Sequence, residues 1–195
     1  MLAIHSFIQI APYQHVVVVM SIVLGLSLTQ LLKGIAQLYR ARSRVRPYWL
    51  HSAWVGLLVV FGLLLWWTYW NYRDVGEWTF FRFVLYLSPM IVFYFLTAIV
   101  IPDPSDPVTN LRDYYFASRV GFFGVFALYG VVASLTAVLV RGLPLLDISN
   151  FFRLAMVLLL LLAMRSASER IHGVVLVLGG ILMLVFIFRI QLSLG

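Results

Sequence analysis

The sequence predicts an all-α membrane protein, a polytopic bundle of about six transmembrane helices joined by short loops. Hydrophobic residues make up 63% of its 195 positions, charged residues only 11%, and the mean hydropathy is +1.01. A soluble domain carries roughly 25% charged residues because its surface faces water. Most of this surface is therefore expected to face lipid, and residues 1–195 to form a single integral membrane domain.

Six apolar stretches follow one another along the chain. Each is close to the ~20 residues that cross the ~30 Å hydrocarbon core of a bilayer. Pro12 suits the first turn of a helix, so the first span is placed directly after it. The fifth stretch is the shortest and needs Phe151, Phe152 and the aliphatic part of Arg153 to reach across. The predicted spans are residues 13–38, 48–71, 79–101, 114–140, 148–164 and 173–194.

Charge and proline separate these stretches. Four arginines lie between the first and second spans, in the segment 40–46. Residues 101–113 contain three prolines, which predicts the longest loop and no helix. Ser88 and Pro89 lie inside the third span and predict a kink that frees a backbone carbonyl near the middle of the membrane.

The distribution of basic residues predicts the orientation. Of the 14 lysines and arginines, nine belong to one side, including the Arg40–Arg46 loop. The positive-inside rule places that loop in the cytoplasm and both termini outside. The other side carries the remaining five, which are Arg73, Arg82, Arg141, Arg153 and Arg189.

Several classes of function are disfavoured by what the sequence lacks. All seven acidic residues lie in predicted loops or at helix ends, whereas ion-coupled carriers usually need a carboxylate inside the membrane. There is no cysteine, which excludes thiolate metal sites and disulfides. No catalytic motif or metal-binding motif is found, so no enzyme is predicted. Topology and anionic lipid account for the basic charge, and no nucleic-acid partner is expected.

A small and polar stripe runs along one face of the first span at a spacing of four residues. One interpretation is close packing inside the bundle or in a homo-oligomer, because small side chains let helix backbones approach. The other is that Thr29, Gln30 and Lys33 line a water-filled path. The stripe consists of Ser21, Gly25, Thr29, Gln30 and Lys33.

Four arginines are candidates for binding an anion or a lipid headgroup, because each is predicted about one turn inside the membrane boundary. The alternative is that their side chains reach to the headgroups or pair with loop acids. These residues are Arg82, Arg119, Arg153 and Arg189.

Aromatic and histidine residues suggest two further sites. Trp66, Trp67 and Trp70 fall where the second span meets the interface, which is typical of an aromatic belt and also suits a flat hydrophobic ligand such as a quinone. His51 and His172 lie near the same side, as His5 and His15 do on the other. Such pairs suggest bis-histidine haem ligation, and interfacial hydrogen bonding is the alternative.

Three segments, together with His172 at the start of the last span, resemble a group of uncharacterised bacterial multi-pass membrane proteins. The resemblance implies a location in the bacterial cytoplasmic (inner) membrane. It brings no activity, cofactor or functional residue. The segments are Met20–Leu38, Trp66–Phe80 and Leu111–Phe123.

The leading functional hypothesis is a non-catalytic membrane protein, a packing, accessory or lipid-associated subunit that binds itself, lipid or a larger membrane complex. No resident cofactor or metal is predicted. Two alternatives stay open. One is a passive channel for anions or small solutes, and the other is a redox subunit that binds haem or quinone.

Overall fold

The computed structural model describes residues 2–102 and 109–193, with side chains over 13–102 and 110–189. Six α-helices account for most of this part of the chain, and α2 continues into a 3-10 turn at Tyr69–Tyr72. Two two-residue strands, β1 (Val45–Arg46) and β2 (Thr109–Asn110), form one short parallel pair. The helices are α1 (Leu2–Arg40), α2 (Trp49–Thr68), α3 (Phe80–Val100), α4 (Leu111–Leu139), α5 (Ile148–Arg165) and α6 (Glu169–Ser193).

All six helices are long and apolar enough to cross a membrane, which confirms the predicted fold class. Large apolar side chains such as Ile22, Leu63 and Leu158 point away from the protein and are more than half exposed. Water would penalise such a surface, whereas lipid chains solvate it. The protein is a multi-pass helical bundle with an apolar outer surface.

Three helices begin three or more residues before the predicted start. Helix α1 begins at Leu2 and continues through Pro12, so the prediction that this proline opens the helix was wrong. Helix α4 begins at Leu111, within the segment predicted to be non-helical, because the Asn110 side chain accepts a hydrogen bond from the Arg112 backbone N–H at 3.1 Å. Helix α6 begins at Glu169, four residues before the predicted start. Residues 103–108 of the predicted long loop lie outside the described residues.

The loops after α1, α3 and α5 lie together at one end of the bundle, here called the β1–β2 end. The parallel strands join the first two loops there. Glu169 connects the third loop, which follows α5, to the other two. It forms an ion pair with Arg112 at 3.7 Å and accepts a hydrogen bond from the Trp49 indole at 3.3 Å. The loops after α2 and α4 lie at the opposite end, here called the hairpin end, where the Arg141 guanidinium lies over the Tyr72 ring. This alternation is what six consecutive crossings require.

Pro89 shapes the contact between α3 and α4. Because proline has no backbone N–H, the Leu85 carbonyl four residues earlier lacks its helical partner. The Ser88 hydroxyl and the buried Thr136 hydroxyl of α4 both donate to this carbonyl at 2.8 Å. The freed carbonyl is thus used as a hydrogen bond between the two helices.

Gly34 lets α1 pack closely against Ile101, the residue that follows α3. A Cβ at this position would lie 2.6 Å from Cγ2 of Ile101, a branched side chain with little freedom to move. Gly25 on the same helix has no such neighbour within 4 Å. Two glycines of one helix therefore differ in their packing.

We expect Gly34→Ala to lower the stability of the protein by about 1–3 kcal/mol through overpacking. Gly25→Ala should leave the monomer unchanged or stabilise it by up to about 1 kcal/mol, because alanine favours helix. Thermal unfolding of both variants in the same detergent checks this. Equal shifts in Tm for the two variants would contradict the predicted packing.

Candidate functional site

A cavity of about 230 Å³ lies between α2, α4, α5 and α6. Along α2 its lining residues extend from Trp54 to Thr68, and the 14 residue steps between them correspond to about 21 Å of helix. The cavity is therefore long and narrow, and it runs parallel to the helices toward the hairpin end.

Most of the cavity wall is apolar. Aromatic and leucine side chains predominate, and the two methionines adapt their shape to irregular neighbours. Aromatic side chains of α2 and α4 contact one another here, as Phe61 and Phe126 do with ring centres 5.5 Å apart, and side chains of all four helices line the remaining space. The apolar lining includes Trp54, Leu58, Phe61, Phe126, Met156, Leu160, Leu182, Met183 and Phe186.

Polar groups line the hairpin end of the cavity. Arg141 comes from the loop after α4, Arg153 from α5, and Tyr72 from the turn that ends α2. The cavity thus joins a cationic end to a long apolar section, which is the pattern expected of a site for an amphipathic molecule.

The α4–α5 loop positions this cationic end. Gly142 adopts a positive φ of 70°, which favours glycine, and lets the chain reverse after α4. Asp147 then caps α5 by accepting a hydrogen bond from the Ser149 backbone N–H at 2.8 Å. The buried Asn150 amide donates to the carbonyls of Pro144 and Leu145, both at 3.3 Å. Its oxygen accepts a hydrogen bond from the Arg153 guanidinium, so Asn150 holds the loop and this arginine together.

Neither Arg141 nor Arg153 forms an ion pair within the described residues, where the pairs found are Arg73–Asp74 and Arg112–Glu169. Arg141 instead lies over the Tyr72 ring, 5.5 Å from its centre. The acid that both arginines influence is Asp147. Burial raises the pKa of Asp147, but hydrogen bonds from Ser149 and the charges of Arg153 and Arg141 outweigh it and lower the pKa below its usual value. With Asp147 ionised, the three groups carry a net charge of about +1.

Of the four arginines predicted to bind an anion or headgroup, only Arg153 lines this cavity. The Arg82 guanidinium donates to the Glu77 carbonyl at 2.8 Å, and that of Arg119 donates to the Phe116 carbonyl at 2.6 Å. Arg189 is exposed on α6. The structure does not bring these four residues together, and lipid contact at the other three stays a prediction.

The small and polar stripe of α1 is largely exposed, and Ser21 and Gly25 border a groove next to Leu63 and Trp66 of α2. Gly25, Thr29 and Lys33 are exposed, while Ser21 and Gln30 are partly buried. The residues of α1 that are buried against its neighbours lie on another face and include Met20, Leu24, Ser27 and Leu31. Packing of Gly25 inside the monomer is therefore not observed, and contact with a second copy or with lipid stays a prediction.

The three tryptophans Trp66, Trp67 and Trp70 also lie on the outer surface, each exposed by 50–57%. They occupy the hairpin end of α2 and its following turn, and none of them lines the cavity. Their position is typical of an interfacial aromatic belt.

The two histidines considered for haem are both buried and hydrogen bonded. The His172 Nδ1 atom accepts a hydrogen bond from the Tyr115 hydroxyl at 2.7 Å, and its Nε2–H donates to the Ser166 carbonyl at 3.0 Å. The tautomer of the ring is assigned from these two partners. His51 donates from Nε2 to the Val100 carbonyl at 2.8 Å. Iron ligation by His172 would require the loss of one of the two hydrogen bonds of its ring. His15 is exposed, and the His5 side chain lies outside the described residues.

Arg141, Ser149 and Asn150 have no motif in the sequence that marks them as part of a site. The available signal was the Asp-Ile-Ser pattern at 147–149, which is a helix N-cap sequence and predicts where α5 begins. No family model, curated protein or solved structure matches this chain.

Proposed function

We propose that this protein is a non-catalytic membrane protein that binds a lipid-like molecule in the cavity between α2, α4, α5 and α6. The observation that carries the proposal is the shape and polarity of this cavity, which is long, apolar along its walls and cationic at one end. These features match the chemistry of an amphipathic lipid, whose polar head and apolar chain require different surroundings.

The volume of the cavity supports an occupant. The cavity is partly open to the surroundings of the bundle, so a chain from the membrane can reach its volume of about 230 Å³. A dry apolar cavity of about 150 Å³ is already large enough to bind benzene. Filling this one with lipid chain would recover packing that the helices alone do not provide.

Ala133 offers a direct test, because it lines the cavity from α4. The wild-type protein, purified in mild detergent and examined by native mass spectrometry, should carry a bound amphiphile in near-stoichiometric amount. Ala133→Met should lower that occupancy at least tenfold by filling the space. Ala117→Met makes the same change at an exposed position of the same helix and should retain the ligand. A wild-type protein without a bound amphiphile would contradict the proposal.

The alternative functions gain less support from the site. A channel needs polar groups along a continuous path, whereas the basic groups of this cavity lie at its hairpin end, and Lys33 and Arg119 do not line it. A redox role needs free ligand atoms or a flat site, and both ring nitrogens of His172 are engaged. Lipid binding uses the observed geometry directly.

The resemblance to bacterial multi-pass proteins supports a location, and the charge distribution supports an orientation. We propose that the protein lies in a bacterial cytoplasmic membrane, with the Arg40–Arg46 loop and the whole β1–β2 end in the cytoplasm. The nine basic residues of that side support this orientation. The cationic end of the cavity then lies in the outer leaflet. The partners of the protein are membrane lipids and either a second copy of the chain or another membrane protein. The exposed face of Gly25 and Thr29 is available for helix contact.

A further inference from the structure

We infer that the cavity takes a single-chain amphiphile with an anionic head, a phosphate or a carboxylate, which is held between Arg141 and Arg153. This inference rests on the proposed function and specifies the class of ligand. Three features of the site support it: the charge at the hairpin end, the way the two guanidinium groups are held, and the size of the apolar section.

The charge argument begins with Arg141 and Arg153. Both line the cavity, and neither has a carboxylate within 4.0 Å among the described residues. Asp147 lies close enough for its pKa to respond to both charges, yet its carboxylate is used to cap α5. One positive charge therefore remains uncompensated beside an apolar space, where an anion interacts more strongly than it does in water. A neutral head would leave this charge unpaired.

The two guanidinium groups are held before any ligand arrives. Asn150 is 6% exposed and accepts from Arg153, while its amide is fixed by two carbonyls of the α4–α5 loop. Arg141 stacks on Tyr72, which belongs to the end of α2. Anchoring from two different elements lowers the ordering cost of binding. Arginine also suits this role because its planar group donates several hydrogen bonds to one phosphate or carboxylate.

The size and shape of the apolar section favour a ligand with one chain. Its volume of about 230 Å³ falls below the ~300–1,000 Å³ of typical pockets for drug-sized ligands. Its length along α2 is about 21 Å, so the space is narrow as well as small. One hydrocarbon chain fits such a shape. The second chain of a diacyl phospholipid would have to lie outside, between the helices.

The test measures binding of defined probes to delipidated protein in nanodiscs of neutral phosphatidylcholine. Hexadecyl phosphate and palmitate represent the two anionic heads, hexadecanol is the neutral analogue of equal chain length, and dipalmitoyl phosphatidic acid carries two chains. We expect at least tenfold tighter binding of one or both single-chain anions than of hexadecanol or of the two-chain lipid. The preferred anion identifies the head as phosphate or carboxylate.

Variants assign the charge to its residues. The double substitution Arg141→Gln and Arg153→Gln should weaken binding of the preferred anion at least tenfold and leave hexadecanol binding unchanged. Arg82→Gln removes an arginine that lies outside the cavity and should change neither anion binding nor hexadecanol binding. Thermal unfolding of each variant shows whether it is folded, and Arg141→Lys with Arg153→Lys, which keeps both charges, should retain the preference for the anion over hexadecanol.

The outcomes separate the two proposals. Equal binding of hexadecyl phosphate, palmitate and hexadecanol, or a folded double Gln variant with unchanged anion affinity, would overturn the assignment of the head while lipid binding stands. Tighter binding of phosphatidic acid than of both single-chain anions would overturn the single-chain assignment. Failure of every probe to bind, with no response to Ala133→Met, would overturn the proposed function itself.

Discussion

Phe123→Ala is expected to destabilise the protein by about 3–5 kcal/mol, the range for truncating a large aromatic residue in a packed core. Phe123 is fully buried on α4. Its ring contacts Trp54, Tyr115, Phe122 and His172 with centres 4.9–6.1 Å apart, mostly in edge-to-face geometry. Because the unfolded helices are also solvated by apolar lipid, the loss comes from packing rather than from transfer out of water.

The measurement is the free energy of unfolding in bicelles, by steric trapping or by titration with a denaturing detergent. Leu128→Ala is the matched control on α4, since Leu128 is half exposed and lipid chains can fill the space that it leaves. That control should change stability by less than about 1 kcal/mol. Similar losses for Phe123→Ala and Leu128→Ala would show that the aromatic cluster is not the packed core described here.

His172→Ala is expected to destabilise the protein by a similar amount, about 3–5 kcal/mol, for a different reason. His172 is fully buried, and its removal leaves both the Tyr115 hydroxyl and the Ser166 carbonyl without the partners seen here. Each buried polar group left unsatisfied costs about 1–3 kcal/mol. The ring also leaves a cavity beside Phe123.

Two further variants separate the hydrogen bonds from the lost volume. Tyr115→Phe removes one partner of His172 and should cost about 1–3 kcal/mol. Combined with His172→Ala, it should cost less than the sum of the two single changes, because both break the same bond. His15→Ala alters an exposed histidine and serves as control. Strict additivity of the two single changes would contradict the hydrogen bond between Tyr115 and His172.

Helix existence was predictable because it depends on length and hydropathy, which are properties of a local segment. The positions of the helix ends were less predictable. Asn110 and Asp147 both cap a helix through a side-chain oxygen, yet the prolines at 102–107 had suggested a longer loop. Pro12 misled in the opposite direction, because a helix interior can accommodate proline when its length and surroundings maintain the helix.

The candidate site was predictable only in part. Arg153 was expected to bind an anion because it lies just inside the membrane boundary. Arg141 comes from the loop after α4, and no spacing in the sequence relates it to Tyr72, which it contacts from about seventy positions away. The cavity also depends on α6 packing beside α2, which is a contact between distant segments. Side-chain chemistry alone could not distinguish these arginines from Arg82 or Arg189.

The sequence by itself determined the number of helices, their apolar outer surface and the confinement of charge to the two ends of the bundle. The reason is that hydrocarbon penalises every exposed charge and every unpaired backbone group, so these features are written into composition and segment length. Only the tertiary structure decided which face of each helix turns inward. Helices that are apolar on all sides carry no marker of rotation. Their rotation is set by packing, and that packing brought Arg141 and Arg153 to one cavity while it left Gly25 and Thr29 facing outward.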